Sequence, residues 1–531
     1  MSNKIKKTKP LSTVTEWVIV APAMEYVLAA TMIAMCIAVS FYAKDGYHQL
    51  GNAKFEAYRA VMVVGFSLFL IMGICYFINM IYAKKPWRLS VTDGFVLVYL
   101  LFSTISVVSG GFYEDALWGS FGWNMGWMSQ LSFVLIYFAM SRFGRYSRLI
   151  VGVFCGSAFV VFLIGILHRM MIDPIGFYEG LQGSQMAQFL STMGQATWYA
   201  SYLAVALPVG MAAFLYAEKK LWRILGGIYM AVGFASLVTQ NSDSAYFAFG
   251  AFMLVFFLLC VDSRVLVGRF AEVCTLFFAA GKAMYFLMRI HPNPDLEYDF
   301  VTKIMLEGKS TWALLGLCIV LDIFLYVRRN RPYSAVRLRW VKRVVVLLAV
   351  TAVLGMAGLI VLQTKGVFTG RLGEALGTVS YFNWNDAWGN GRGRIWSFAV
   401  KVFAGESLLH KLFGVGPDCF GSYALSVHGE DVKLLWGDKV LTNAHNEWMT
   451  TLVNIGILGA VSYMGIFVTA IRSFLKAWRQ DYLLAAAAAS AVSYMAYNFF
   501  CYQQVCCTPF VFLMLGMGEY LRTKNEERRQ G

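Results

Sequence analysis

Apolar runs of about 20 residues, the length that crosses a bilayer core as a helix, recur along the whole chain with short polar or basic segments between them. They fall near 18–42, 60–82, 91–109, 124–141, 149–167, 196–216, 222–239, 244–261, 271–288, 311–327, 344–362, 449–471, 482–499 and 505–521. The pattern predicts an all-α integral membrane protein forming one polytopic domain over 1–531. Segment 271–288 is the weakest, because it contains Lys282. Charge placement keeps it. Segment 262–270 carries Arg264 and Arg269, and 328–343 carries Arg328, Arg329, Arg331, Arg337, Arg339, Lys342 and Arg343. Both belong on the cytoplasmic side, so an even number of crossings separates them. The expectation is about 14 transmembrane helices with both termini cytoplasmic. Twelve, with one pair lying flat at the surface, is the alternative. Lys4, Lys6, Lys7 and Lys9 precede the first run, but its length and the lack of a clear cleavage site point to a retained first helix.

Composition agrees with this reading. Of 531 residues, 59% are hydrophobic and 14% charged, against about 25% charged in a soluble protein. The net charge of +15 is explained by its placement beside spans and calls for no nucleic-acid partner. Ten cysteines are present. Cys36, Cys75, Cys155, Cys260, Cys274, Cys318, Cys506 and Cys507 lie in spans, Cys501 at a span edge and Cys419 in a long loop. Their spacing gives neither a disulfide framework nor a metal site, so they read as small apolar fillers, and no cofactor is called. The Ala485–Ala489 run reads as close helix packing.

Four sizeable segments fall on the extracytoplasmic side: 43–59, 168–195, 289–310 and, by far the longest, 363–448. A loop of that length in a compact protein is usually functional or separately folded. It holds two glycine clusters. In Trp388-Gly389-Asn390-Gly391-Arg392-Gly393-Arg394-Ile395-Trp396, glycines let backbone N–H groups approach a ligand, and Arg392 and Arg394 present planar forks suited to phosphate oxygens. The competing reading is a turn whose arginines pair with Asp386 or Glu374, or contact lipid headgroups. The second cluster, Leu412-Phe413-Gly414-Val415-Gly416-Pro417-Asp418-Cys419-Phe420, reads as a tight turn that shapes the loop.

The loop runs into Ala444-His445-Asn446-Glu447 at the mouth of an apolar helix. A helix starting near Asn443, capped by Asn443 or Thr442, puts Glu447 in its first turn, where the dipole favours a carboxylate. His445 then lies where free N–H groups gather, a natural place for an anion. The competing reading is an interfacial histidine bonded to loop backbone, which also serves for His48, His168, His291, His410 and His428. Gly456 and Gly459 share a helix face and allow another helix to pack closely.

The order GRGRIW, LFGVGPDCF, AHNEWMTTLVNIGILG resembles the signature region of the O-antigen ligase and O-antigen polymerase family of bacterial membrane glycosyltransferases, most closely over 380–465. The ligase pattern has His, then Asn, Ser or Gln, nine residues, Gly, two residues, then Gly, Thr or Tyr. His445, Asn446, Gly456 and Gly459 fit it. Asn390-Gly391-Arg392 with Trp396 stands for the family's Ser-Gly-Arg and following Trp. Gly194–Leu203 is similar more loosely, and Gln240–Ala245 occupies the place of a family Ser-Arg step but lacks the arginine. Arg392, Arg394 or Lys282 would have to compensate.

The resemblance implies transfer of a glycan from undecaprenyl pyrophosphate to an acceptor hydroxyl outside the bacterial cytoplasmic membrane, without a metal. Arg392 and Arg394 would bind the pyrophosphate. His445 would deprotonate or orient the acceptor, or bind phosphate as imidazolium. Asn446 would position the histidine or a sugar, and Glu447 is a reserve base. The acceptor is a glycan, lipid, wall polymer or protein. A polymerase joining lipid-linked repeat units is the nearest alternative. A lipid flippase or transporter is the alternative of another class, but it would place its key groups near the midplane.

Overall fold

A computed structural model describes residues 12–82, 89–330, 335–437 and 439–530. Lys4, Lys6, Lys7, Lys9 and Arg331 lie outside them. The helices, in chain order, are α1 (Ser12–Phe41), α2 (Leu50–Tyr82), α3 (Val91–Gly110), α4 (Tyr113–Trp118), α5 (Trp127–Phe143), α6 (Ser147–Arg169) and α7 (Gly183–Gln188). Then come α8 (Ala196–Tyr216), α9 (Lys220–Thr239), α10 (Asp243–Cys260), α11 (Arg264–Ile290), α12 (Phe300–Glu307), α13 (Lys309–Val327) and α14 (Ala335–Thr364). The rest are α15 (Gly370–Gly377), α16 (Trp388–Gly405), α17 (Leu408–Phe413), α18 (Phe420–Trp436), α19 (Glu447–Ala477), α20 (Tyr482–Tyr497) and α21 (Thr508–Gln530). The only strands among the described residues are Phe189–Leu190 and Gly194–Gln195, paired antiparallel.

Among the described residues, eleven helical stretches are long and apolar enough to cross a membrane. One of them, Trp127–Arg169, comprises α5 and α6. Each apolar run read from the sequence lies mostly or wholly in a long helix. The chain is therefore an all-α, multi-span membrane protein. Local chemistry sets the ends where side chains can reach them. Ser90 accepts from the Asp93 backbone N–H at 3.1 Å, and the Asp93 carboxylate accepts from that of Ser90 at 2.8 Å, a capping box that starts α3.

One core runs through the bundle and includes much of α5, α6, α8, α20 and α21. The five alanines Ala485–Ala489 are fully buried there. Without bulky side chains α20 lies close against α8, and Ser490 Oγ donates to Val205 O at 2.9 Å. At the other extreme, α14 exposes Leu347, Leu348 and Leu354. Such a helix is stable when lipid supplies the surrounding contacts.

The long segment 363–448 is not an open loop. It folds into α15–α18, and a second apolar core, including Phe398, Val402, Val415, Phe420 and Val453, ties this helical cap to α3 and α19. The joint is a break in α19. Gly456 has φ 68° and ψ −178°, so the helix is two pieces, not the uninterrupted packing face expected of Gly456 and Gly459. Helix breaks free backbone groups that lipid cannot satisfy. Here the cap satisfies them: the N–H groups of Val415 and Gly416 donate to Val453 O at 3.2 Å and Asn454 O at 2.8 Å. The Gly414–Gly416 turn is thus the plug of that break. A Cβ on Gly414 would lie 2.2 Å from Asn454 O, and one on Gly456 2.4 Å from Leu412 O.

Candidate active site

Three segments meet beside the start of α19: the start of α16, residues 443–447 and the α20–α21 connection. Helix α16 opens with Gly389, Asn390 and Gly391 all in the left-handed region, at φ 58°, 61° and 87°. That run, cheap for glycine and tolerated by asparagine, turns the chain sharply before Arg392. Gly393 is fixed by proximity, since a Cβ would lie 1.9 Å from Asn385 O.

Arg392 is anchored. Its Nε and Nη2 donate to Phe500 O at 3.2 and 3.0 Å, and Nη1 donates to Gly389 O at 2.8 Å. Its guanidinium also lies over the Phe500 ring, 5.9 Å from the centroid. Three of five N–H groups are committed to backbone, which leaves two to bind a ligand from a fixed position. Trp396 stacks on the same Phe500 ring at 6.0 Å. Arg394 faces elsewhere, donating to Asp386 Oδ2 at 3.1 Å and Leu435 O at 3.0 Å. The two arginines are therefore not a joint fork. For Arg394, the pairing with Asp386 weighed from the sequence is the one found.

The start of α19 differs from expectation by a few residues. Asn446, rather than Asn443 or Thr442, caps the helix, accepting from the Met449 N–H at 3.1 Å. Asn443 Oδ1 instead accepts the His445 N–H at 2.9 Å, and this holds His445 at φ 47°. The His445 ring is half-buried and stands edge-on to Tyr502, 5.2 Å between centroids. Burial, reinforced by the nearby Arg392 charge, lowers its pKa to about 4. At neutral pH it is an uncharged imidazole.

Glu447 is 1% exposed. Its carboxylate accepts from Tyr463 Oη, from Tyr494 Oη at 2.9 Å and from Asn498 Nδ2, while its own N–H donates to Asn498 O at 2.9 Å. This pins α19 to the α20–α21 connection. Glu447 also lines a small cavity, about 40 Å³, together with Asp418, Asn443, Asn454 and Tyr502. Asp418 Oδ2 accepts from the N–H groups of Ser120 and Met125 at 2.8 and 3.0 Å, and burial raises its pKa to about 7.

The sequence reading missed the α20–α21 connection, Asn498–Cys507. Part of its contribution comes through backbone carbonyls, Phe500 O and Asn498 O, which leave no residue-type signal. The run of Tyr502, Gln503 and Gln504 between apolar helices was the available hint. The Gly194–Leu203 segment does reach the site. Trp198 Nε1 donates to Tyr502 Oη at 2.9 Å, and Tyr497 Oη donates to Thr197 O at 2.6 Å.

Where an arginine was missed upstream, Asn241 and Asp243 clasp another loop. Asn241 Oδ1 accepts the Asp299 N–H at 2.9 Å. Asp243 accepts from the Val301 N–H at 2.9 Å and Tyr381 Oη at 2.8 Å. Lys282 does not compensate: its ammonium donates to Met305 O, Leu306 O and Gly308 O at 3.1, 2.9 and 3.2 Å, at the end of α12.

The family model described as O-Antigen ligase (Wzy_C) matches residues 299–464, from α12 into α19. The chain carries an O-antigen ligase domain. Arg392, Trp396, His445, Asn446, Gly456 and Gly459 lie inside the ligase match, whereas the Phe500–Tyr502 support lies beyond it. A search of curated proteins finds no match to the chain.

Proposed function

We propose that the protein transfers a glycan from undecaprenyl pyrophosphate to an acceptor hydroxyl on the outer face of the bacterial cytoplasmic membrane, with both termini cytoplasmic. The observation that carries this reading is an anchored arginine with two uncommitted N–H groups beside an uncharged histidine, inside a ligase domain. Arg392 holds the pyrophosphate and stabilises the negative charge that develops as it leaves. His445 receives the proton of the acceptor hydroxyl. The hydroxyl oxygen bonds to the anomeric carbon, that carbon's bond to phosphate oxygen breaks, and the electron pair leaves with the pyrophosphate. Attack opposite the leaving group inverts the anomeric centre, and no metal is assigned a role.

A pKa near 4 makes the imidazole a weak base before donor binds. A bound pyrophosphate counters the Arg392 field, favours the imidazolium and so strengthens the base once donor is in place. The resulting imidazolium can return its proton to the departing pyrophosphate. Asn446 fixes the backbone from which His445 projects. Glu447 is a positioning residue through its bonds to Asn498. Arg394 joins α16 to Asp386 and to the end of α18.

The test is transfer in proteoliposomes from purified lipid-linked glycan. Arg392→Ala and His445→Ala should each lower turnover by about 10²-fold or more. Near wild-type turnover in both would sink the assignment. Envelope glycans of a deletion strain separate ligase from polymerase: long chains left on carrier lipid support the ligase, and single unjoined units support the polymerase.

A further inference from the structure

The cavity lined by Asn443 and Glu447 has a one-sided charge. Its lining contains two carboxylates, Asp418 and Glu447, and none of the described lining residues is Lys, Arg or His. Neither carboxylate has a basic partner among the described residues. Their hydrogen bonds come from neutral groups: backbone N–H for Asp418, tyrosine hydroxyls and a carboxamide for Glu447. Asn454 also lines the cavity. It is more than nine-tenths buried, and its Oδ1 has no hydrogen-bond partner. An unsatisfied acceptor in a polar cavity calls for a donor, such as a hydroxyl or ammonium hydrogen.

The cavity adjoins the reacting group. Asn443, on its wall, holds the His445 N–H, and Tyr502, also on its wall, packs against the His445 ring. At about 40 Å³ it takes a few waters or one hydroxyl-bearing arm, not a sugar ring. Arg392 offers an anionic acceptor no relief. Three of its N–H groups are on Phe500 O and Gly389 O, and the remaining two serve the donor.

We infer that this cavity is the acceptor subsite and that it selects an acceptor which is uncharged, or amine-bearing, around its reacting hydroxyl. The inference rests on the transferase reading above. Anionic acceptors, whether uronic acids or phosphorylated sugars, would bring a negative charge against two carboxylates at short range, where like charges repel.

The experiment uses the full chain in proteoliposomes at pH 8, with lipid-linked glycan as donor and envelope extract as the source of acceptors. Mass spectrometry maps the residue that receives the glycan. A neutral or amine-bearing attachment residue is expected. Attachment to a carboxylate- or phosphate-bearing residue overturns the inference and leaves the transferase reading standing, whereas no transferred glycan at all overturns the transferase reading itself. The mapped acceptor and a carboxylate-bearing counterpart are then compared. The neutral form should be favoured by roughly ten-fold or more. Asp418→Asn, which keeps an oxygen for the Ser120 and Met125 N–H groups, should narrow that ratio, and Asn443→Asp should widen it. The ratio is read within each variant, so a partly misfolded fraction does not affect it. An unchanged ratio in both variants overturns the inference.

Discussion

The break at Gly456 can be tested by a single methyl group. In Gly456→Ala, the new Cβ falls 2.4 Å from Leu412 C and O and 2.5 Å from Phe413 N. These are backbone atoms, which cannot swing aside as a side-chain end can. The backbone also sits at φ 68° and ψ −178°, a region open essentially to glycine alone. The strained conformation costs about 1–3 kcal/mol, and overpacking adds about 1–3 kcal/mol. Straightening α19 would avoid both costs, but it would strip the Val415 and Gly416 N–H groups of Val453 O and Asn454 O. Two orphaned N–H groups cost about 1–3 kcal/mol each. Either route destabilises by a few kcal/mol and shifts the piece of α19 that carries Asn446 and Glu447. Thermal unfolding in nanodiscs should therefore show a clear loss, and turnover should fall with it. Gly250→Ala, in α10 with nothing within 4 Å of its added Cβ, is the matched control. Equal melting of the two variants would refute the break as the joint between cap and bundle.

Three further outcomes are expected. Burial and the Arg392 charge lower the His445 pKa to about 4, and an anionic donor would favour its charged form. The acid limb of kcat/KM, which reports the free protein, should therefore lie at lower pH than the acid limb of kcat, which reports the donor complex; a reversed order would contradict a neutral His445 beside Arg392. Glu447→Gln turns an amide NH₂ toward groups that all donate, Tyr463, Tyr494 and Asn498, and should cost about 1–3 kcal/mol for each donor left unmatched, read as a lower melting temperature. Lys282→Met leaves the end of α12 without its ammonium and should destabilise by about 2–5 kcal/mol while leaving KM for the donor unchanged; a raised KM would return Lys282 to the donor site.

What the sequence made legible follows from its solvent. A helix surrounded by lipid must be apolar on nearly every face, so α13 and α14 stand out by hydropathy alone, and even α11 survives one lysine because Lys282 has carbonyls to cap. The cap was not legible. Helix α17 spans Leu408–Phe413 and α16 opens with left-handed residues, so neither leaves a regular period. Nor could local pattern separate Gly456 from Gly459. Which of them breaks α19 is decided by Gly414 and Gly416, about forty residues upstream. At the site, residue types pointed to Arg392 and His445, but the cap position was off because Asn443 spends its side chain on His445 rather than on the helix.

Arg392 and His445 are far apart in the chain but share one support. Arg392 belongs to the cap and His445 to the entry of α19, and no direct bond joins their side chains among the described contacts. Both rest on one short connection. Phe500 O holds the guanidinium, the Tyr502 ring backs the imidazole, and Asn498 receives Glu447 through both backbone and side chain. A displacement of α20 relative to α21 would move all three contacts at once, whereas a displacement of α16 alone would move only one. The relative position of Arg392 and His445 thus depends on the connection of the last helical pair, outside the ligase match that contains both residues. Changes there should alter transfer without touching either reacting side chain.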